Sequence, residues 1–342
     1  MSADALDKEL ADLAASARAV LLREIEASGA FGADPRWAEA FAAVPRHLFV
    51  PYYYVGGVGG YERRWGQSPD PRTRERWVRG AYEDVPLATR LRDGVLLSSS
   101  SQPSLMALML AELRVADGDR VLEIGAGTGY NAALLSYRLG DGNVTTVDLD
   151  PEITESARRH LDDAGYRPTV VTGDGARGVP ERAPFDRIIA TCTLASVPRA
   201  WLAQCAPGAL ILAPLATGLI ALTVRDAGHA EGHFLETPAY FVPLRGSERP
   251  EPEQVALAGV PHRARESDTF RFLLALTRGT LDPQEASVLW EREGMPGRER
   301  YGITVDAEHV WAWLDEPEGP YAWPLPGSTG RTDRPGPGLV EA

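Results

Sequence analysis

Apolar positions along the chain change period several times, and each change marks an element. Between residues 4 and 30, alanines and leucines recur at helical spacing among acids. Asp34-Pro35 opens a second helix carrying Trp37, Phe41 and Val44, which stops before Pro45. Arg46–Pro51 leads into an aromatic and glycine-rich stretch, Tyr52–Tyr61. Residues 62–80 are polar and basic, with Arg63, Arg64, Arg72, Arg74, Arg76 and Arg79, and read as a long surface loop. From 118 to 245 apolar runs at 120–124, 144–148, 169–172, 186–191 and 209–213 alternate with helical patterns at 130–139, 151–164 and 198–205, the order of a doubly wound parallel sheet. Residues 218–225 and 234–242 then pair as a hairpin around the polar turn 226–232. Beyond a Pro- and Glu-rich linker at 246–256, Thr269–Thr277 and Pro283–Arg292 read as helices and Tyr301–Val305 with Val310–Leu314 as a small hairpin. Residues 316–342, dense in Pro and Gly, read as a disordered tail. The organisation expected is a main domain over 1–245, with N-terminal helices and loops to 117 and a core over 118–245, followed by an extension over 246–342.

The chemistry concentrates where the first parallel strand ends. Val121-Leu-Glu-Ile-Gly-Ala-Gly-Thr-Gly-Tyr-Asn131 runs from a buried strand through Gly125, Gly127 and Gly129 into a helix. Such a turn carries backbone N–H groups and the positive end of the helix up to a ligand, with Ala126 between the first two glycines. A dinucleotide loop wants G-x-G-x-x-G, whereas here the spacing is G-x-G-x-G with Glu123 two residues ahead. That acid repels a pyrophosphate and suits an ammonium head such as that of S-adenosylmethionine. Both ligands stay open on the loop alone. Asp148, at the end of the second strand and followed by Leu149, is placed to accept ribose hydroxyls. Asp174, in the Gly173-Asp-Gly175 turn after the third strand, is placed for an adenine amino group, while Asp150 before Pro151 reads as a helix cap.

Composition narrows the field. At 342 residues with 44% hydrophobic content the chain builds an ordinary core. A net charge of −13 argues against nucleic acid as a partner. No run approaches about 20 apolar residues, so no membrane span is expected, and the acidic start lacks a signal-peptide pattern, which makes the cytoplasm the expected compartment. Cys192 and Cys205 have no metal-ligand spacing, so no metal is expected. Lys8 is the sole lysine among 35 basic residues, which removes lysine chemistry from the core.

A second signal precedes the glycine loop. Ser98-Ser99-Ser100-Ser101-Gln102-Pro103 opens a helix, with Pro103 at its first position and Gln102 or Ser101 at the cap. Hydroxyls ahead of a helix start can hold an anion without net charge. Together, Val44–Pro51, Ala81–Leu87, Ser101-Gln-Pro103, Val121–Tyr130, Gly173–Gly175 and Ala183–Ile189 resemble, in order, the motifs of the protein-L-isoaspartate O-methyltransferase family over about residues 35–245. The resemblance implies an α/β, Rossmann-like class I S-adenosylmethionine-dependent methyltransferase with N-terminal helices and, here, a small C-terminal α+β extension. It implies methyl transfer to a peptide carboxylate, with Ser101 as the active-site serine and Glu123, Gly125, Ala126, Gly127, Asp148, Leu149, Asp174 and Gly175 around the cofactor. Ser99, Ser100, Gln102 and Thr193, the last just past the fourth strand, are the substrate-side candidates.

The departures point to the client. The family's repair enzymes usually stop near the equivalent of residue 245, its Thr-Ile before the serine is Ser99-Ser100 here, its basic loop is shorter, and Pro207-Gly208-Ala209 stands for a usual Gly-Gly-Arg. Extended members resemble tailoring methyltransferases of ribosomally made, modified peptides. The expected reaction is therefore methylation of an aspartate carboxylate in a precursor peptide, leading to aspartimide or isoaspartate. General repair of isoaspartyl proteins is the alternative, and an NAD-dependent oxidoreductase or a catalytically silent peptide-binding module the more distant ones. The substrate is a peptide or protein presenting an aspartyl or isoaspartyl carboxylate, with the basic stretch suited to an acidic one. His47 reads as structural rather than as a base.

Overall fold

Four helices open on an Asp-Pro pair, at Asp34-Pro35, Asp70-Pro71, Asp150-Pro151 and Asp282-Pro283, and in each the aspartate accepts a main-chain N–H of the first turn while proline takes the position whose N–H has no partner. These caps set where helices start in a computed structural model that describes residues 3–57, 60–92, 94–246 and 257–326. The chain divides into two compact units, Met1–Gly173 and Asp174–Ala342.

In the first unit, α1 (Ala3–Ser28), α2 (Pro35–Ala43) and α3 (Arg46–Phe49) precede a four-stranded antiparallel sheet. Its strands are β1 (Tyr52–Gly57), β2 (Gly60–Trp65), β3 (Leu87–Arg92) and β4 (Val95–Ser100), in the order β2-β1-β3-β4, and α4 (Pro71–Ala81) lies between β2 and β3 in sequence. The register Leu87↔Ser100 and Ala88↔Ser99 makes β3 and β4 a hairpin that ends at the serine run. Then come α5 (Pro103–Glu112), β5 (Val121–Ile124), α6 (Tyr130–Leu139), β6 (Val144–Asp148), α7 (Pro151–Asp163) and β7 (Thr169–Thr172), with β5, β6 and β7 parallel. Every residue of β5 and β6 is buried, including Glu123, Thr145, Thr146 and Asp148 among the apolar positions, as befits parallel strands covered on both faces. Trp37, Phe41 and Phe49 anchor the N-terminal helices in the core, each burial stabilising by roughly 1.5–3 kcal/mol.

The second unit holds β8 (Phe185–Ala190), α8 (Arg199–Leu202), β9 (Cys205–Leu215), β10 (Gly218–Asp226), β11 (His229–Pro238), α9 (His262–Glu266), α10 (Asp268–Leu276), α11 (Pro283–Arg292), β12 (Tyr301–Val305), β13 (Val310–Leu314) and β14 (Ala322–Pro324). β8 and β9 are parallel, and β9 to β14 form an antiparallel run in chain order.

Four expectations change. The basic stretch 62–80 is not a loop: Glu62–Trp65 belongs to β2, and Asp70-Pro71 starts α4, whose Trp77, Val78 and Ala81 are buried. Arginine dominates the composition there and hides the apolar face. The hairpin turn is only two residues, since β10 runs to Asp226 and β11 starts at His229. The helix expected at 198–205 shrinks to Arg199–Leu202, because the chain already enters β9 at Cys205 and turns through Gly208 at φ 84°. Residues 322–324 of the expected tail form β14, pinned by the fully buried Trp323. The rest of that tail from 327, and most of the expected linker at 246–256, lie outside the described residues.

Candidate active site

The glycine loop folds as its residue types dictate and presents itself differently from expectation. Gly125, Gly127 and Gly129 all have positive φ, 101°, 51° and 86°, the region that side-chain-bearing residues avoid. The loop's N–H groups turn inward: Gly125 N and Ala126 N donate to Val147 O at 2.8 and 3.2 Å, Gly127 N to Asp148 Oδ2 at 3.4 Å, and Gly129 N to Ala126 O at 2.8 Å. A pyrophosphate needs such donors facing outward, so this loop suits a ligand with a cationic head better than a dinucleotide.

Glu123 supplies the matching charge. It is 1% exposed, its Oε1 accepts from Asn131 Nδ2 at 2.8 Å, and its Oε2 has no partner at hydrogen-bonding geometry among the described residues, although the Thr146 hydroxyl lies near enough to offset part of the cost of burial. Burial pushes the carboxyl up to about 7, and the charge of Asp148 adds to the rise. An unsatisfied buried carboxylate oxygen is costly unless a donor completes it. Asp148, at the end of β6, accepts from Gly127 N and, through Oδ1, from Asp150 N at 3.2 Å. Leu149 beside it is exposed, and Asp150 caps α7 through Glu152 N at 2.9 Å, as its place before proline predicts.

The serine run meets this loop. A Cβ added at Gly127 would stand 3.5 Å from Ser99 O and 4.0 Å from Ser98 Oγ, ordinary contact distances that set β4 against the loop. Ser98 Oγ accepts from Thr89 Oγ1 at 3.3 Å across the hairpin. Ser100 is buried and its Oγ accepts from Arg46 Nε at 3.3 Å. Ser101 is half-buried, and its hydroxyl has no partner among the described residues. Gln102 turns to Asp84, donating from Nε2 to Oδ2 at 3.0 Å, while Asp84 Oδ1 accepts Ser104 N at 2.8 Å and so caps α5 from a distance.

Arg46 and Asp84 are residues that sequence reasoning passed over. Arg46 is fully buried and donates to the carbonyls of Ala81, Glu83, Val85, Ser100 and Ser101 at 3.0–3.3 Å. Burial lowers its guanidinium to about 10, still charged at neutral pH. Both stand inside motif blocks, Val44–Pro51 and Ala81–Leu87, which was the available signal. His47 is held by Tyr82, its Nδ1 2.7 Å from Tyr82 Oη, and burial takes it down to about 4. The basic stretch is largely engaged locally: Arg79 pairs with Glu75 at 3.0 Å, and Arg63 lies over the Tyr52 ring at 4.4 Å.

Asp174, Gly175 and Thr193 fall in the second unit. Asp174 Oδ1 accepts Ala176 N at 2.9 Å, and Gly175 O accepts Trp201 Nε1 at 2.8 Å, which fixes the turn. Thr193 Oγ1 donates to Phe241 O at 3.0 Å. Burial raises the Cys205 thiol to about 12, far from a thiolate.

Known proteins resemble the chain over most of its length. The family model for protein-L-isoaspartate(D-aspartate) O-methyltransferase matches residues 72–249. A protein-L-isoaspartate O-methyltransferase of Methanococcoides burtonii is 34% identical over 226 residues, 65% of this chain and 98% of its own. Protein-L-isoaspartate O-methyltransferase 1 of Anaeromyxobacter is 36% identical over 243 residues, 68% of this chain and 97% of its own. A solved protein-L-isoaspartate O-methyltransferase shares the fold at TM-score 0.59 and 23% identity, covering 90% of this chain and 98% of its own. A Plasmodium falciparum structure of a beta-aspartate methyltransferase in complex with S-adenosyl-L-homocysteine matches at TM-score 0.50 and 16% identity, over 67% of this chain and 98% of its own. Residues 1–245 are 245 of 342, or 72%, of the chain, so the 90% fold match to that structure runs past residue 245. The chain belongs to the protein-L-isoaspartate O-methyltransferase family, an α/β class I S-adenosylmethionine-dependent carboxyl O-methyltransferase with N-terminal helices and extra C-terminal strands.

Proposed function

We propose that the protein transfers a methyl group from S-adenosylmethionine to the free carboxylate of an isoaspartyl residue in a protein or peptide. The observation that carries this reading is the approach of Ser99 to Gly127, which sets the serine run against the glycine loop. Glu123, with its unsatisfied buried oxygen, and Asp148, at the strand end, are the groups fitted to hold the cofactor's ammonium and ribose hydroxyls. When bound, S-adenosylmethionine supplies an electrophilic methyl group on a sulfonium.

The acceptor needs no base, since a carboxyl of ordinary pKa, near 4, is ionised at neutral pH. What the chain must do is orient one carboxylate oxygen without neutralising it. The Ser101 hydroxyl does this as a neutral donor. Arg46, one residue's breadth away, is turned to five carbonyls and cannot form an ion pair that would quench the nucleophile.

A second reading, methylation of an ordinary aspartate in a ribosomally made precursor peptide, is favoured by one feature. Ser99 and Ser100 stand in place of the family's Thr-Ile ahead of Ser101, Ser99 half-buried and the Ser100 hydroxyl turned inward to Arg46, which replaces an apolar side chain beside the serine with a polar one. Purified enzyme with S-adenosylmethionine and matched isoaspartyl and aspartyl peptides separates the two by intact mass. Gain of one methyl on the isoaspartyl peptide supports repair, and gain on the aspartyl peptide, followed by loss of methanol, supports tailoring. No gain on either overturns both.

A further inference from the structure

Beside the serine run lies a cavity of about 630 Å³ that shares only Gly127 with the candidate cofactor residues and does not include Ser101. That volume is typical of ligand pockets, roughly 300–1,000 Å³. Its walls come from the β3–β4 hairpin (Thr89, Arg90, Ser98), from α7, and from the start of β1 with Phe49 and Tyr52. Ser98 and Gly127 are also the groups that bring the serines against the glycine loop. The cavity therefore shares β4 and the glycine loop with the proposed acceptor site.

Charge pairing on its walls leaves a remainder. Arg90 pairs with Glu152 and reaches Asp150 at 3.6 Å. Glu155 pairs with Arg158 at 3.6 Å, outside the cavity. His160 is held by Thr128 O at 3.0 Å, and burial keeps it below its usual value, so it is neutral near pH 7. Arg159 is exposed, and its one hydrogen bond among the described residues runs from Nε to Glu155 O at 3.5 Å. The wall thus carries a single guanidinium with no carboxylate of its own. Phe49, Tyr52 and Ile153 add apolar surface beneath hydroxyls and charges, a mixture suited to a polypeptide rather than to a small apolar ligand.

We infer that this cavity receives the substrate chain next to the methylated residue, and that Arg159 selects an acidic side chain there. The inference rests on the proposed peptide substrate and adds where its flank binds and what charge it carries. Neither Arg159 nor Ser156, on the same wall, belongs to the candidate methyl-transfer machinery.

Binding is read by fluorescence anisotropy on full-length protein saturated with S-adenosylhomocysteine, so that it does not depend on turnover. The probes are labelled isoaspartyl peptides identical except for Glu, Ala or Lys at both neighbouring positions. Wild type is expected to bind the Glu peptide about two- to fivefold more tightly than the Lys peptide, the scale of one exposed ion pair, with the gap shrinking in salt. Arg159→Glu should invert the order, and Ser156→Trp, which fills the cavity, should weaken all three peptides about tenfold. Both variants should keep wild-type affinity for S-adenosylhomocysteine, which shows that they fold. Equal affinities in wild type, an unchanged order in Arg159→Glu, or unchanged affinities in Ser156→Trp overturn the inference. A failure of the proposed reaction appears separately, as absence of methyl gain while the binding order holds.

Discussion

Arg46 Nη2 donates to the main-chain carbonyl of Ser101 at 3.0 Å, and the same guanidinium ties that carbonyl to those of Ala81, Glu83 and Val85. One buried side chain thus fixes the chain direction at the candidate catalytic serine. No carboxylate forms an ion pair with it among the described residues; carbonyl dipoles meet its charge directly and Asp84 acts on it at longer range, so the full set of acceptors matters. Lysine cannot span that fork. Arg46→Lys is expected to fold with lowered stability and to lose kcat by more than about tenfold, the scale of misplacing a positioned group. Calorimetry should show S-adenosylhomocysteine affinity unchanged, because Glu123 and Asp148 are untouched. Retention of wild-type kcat would separate Arg46 from the serine's geometry.

Two adjacent serines should respond in opposite ways. Ser101 has a hydroxyl without a partner among the described residues, so Ser101→Ala should leave Tm within about a degree and reduce kcat/KM by roughly tenfold or more. Ser100 has a buried hydroxyl that accepts from Arg46 Nε. Ser100→Ala leaves a charged donor unsatisfied and should cost about 1–3 kcal/mol in urea unfolding, with a smaller effect on turnover. The reverse pattern would exchange their roles.

These contrasts also show what the chain's text reveals and what it conceals. Glu123, Asp148 and the glycines were legible because each sits at a strand end flanked by an apolar run, a signal contained within ten residues. Arg46 was not, because its acceptors lie 35 to 55 residues away and all but the Ser100 hydroxyl are main-chain carbonyls with no side-chain signature. The direction of the loop's N–H groups was hidden for a similar reason, since Val147 O, on the neighbouring strand, captures two of them. At α4 the signal was present in Asp70-Pro71 and was outweighed by arginine-rich composition.

His47 makes the fold sensitive to acid. Burial, reinforced by Arg18, takes it from 6.5 to about 4 in the folded chain. The unfolded chain therefore binds a proton between those values that the folded chain does not. The contribution is complete above pH 6.5 and is lost as pH falls toward 4, amounting to about 3 kcal/mol. His47→Gln, which keeps a hydrogen-bonding group beside Tyr82 without titrating, should flatten the urea midpoint over this window. An unaltered slope would place the acid sensitivity elsewhere.

Glu123 acts in the opposite sense, and this separates its role from that of a passive buried acid. Its folded value of about 7 lies above the ordinary 4.5, so the folded chain holds a proton that the unfolded chain has released. The associated stability is present below pH 4.5 and lost as pH rises through 7, about 3 kcal/mol in the absence of ligand. A cationic head at the unsatisfied Oε2 would favour the ionised form and reverse that loss. S-adenosylhomocysteine affinity should therefore rise with pH between about 6 and 8 in wild type. Glu123→Gln should bind more weakly and without that rise, while its ligand-free Tm should decline less over the same range. Parallel pH profiles for the two proteins, measured by calorimetry and thermal unfolding, would remove Glu123 from the cofactor site and leave its unsatisfied oxygen a purely structural cost.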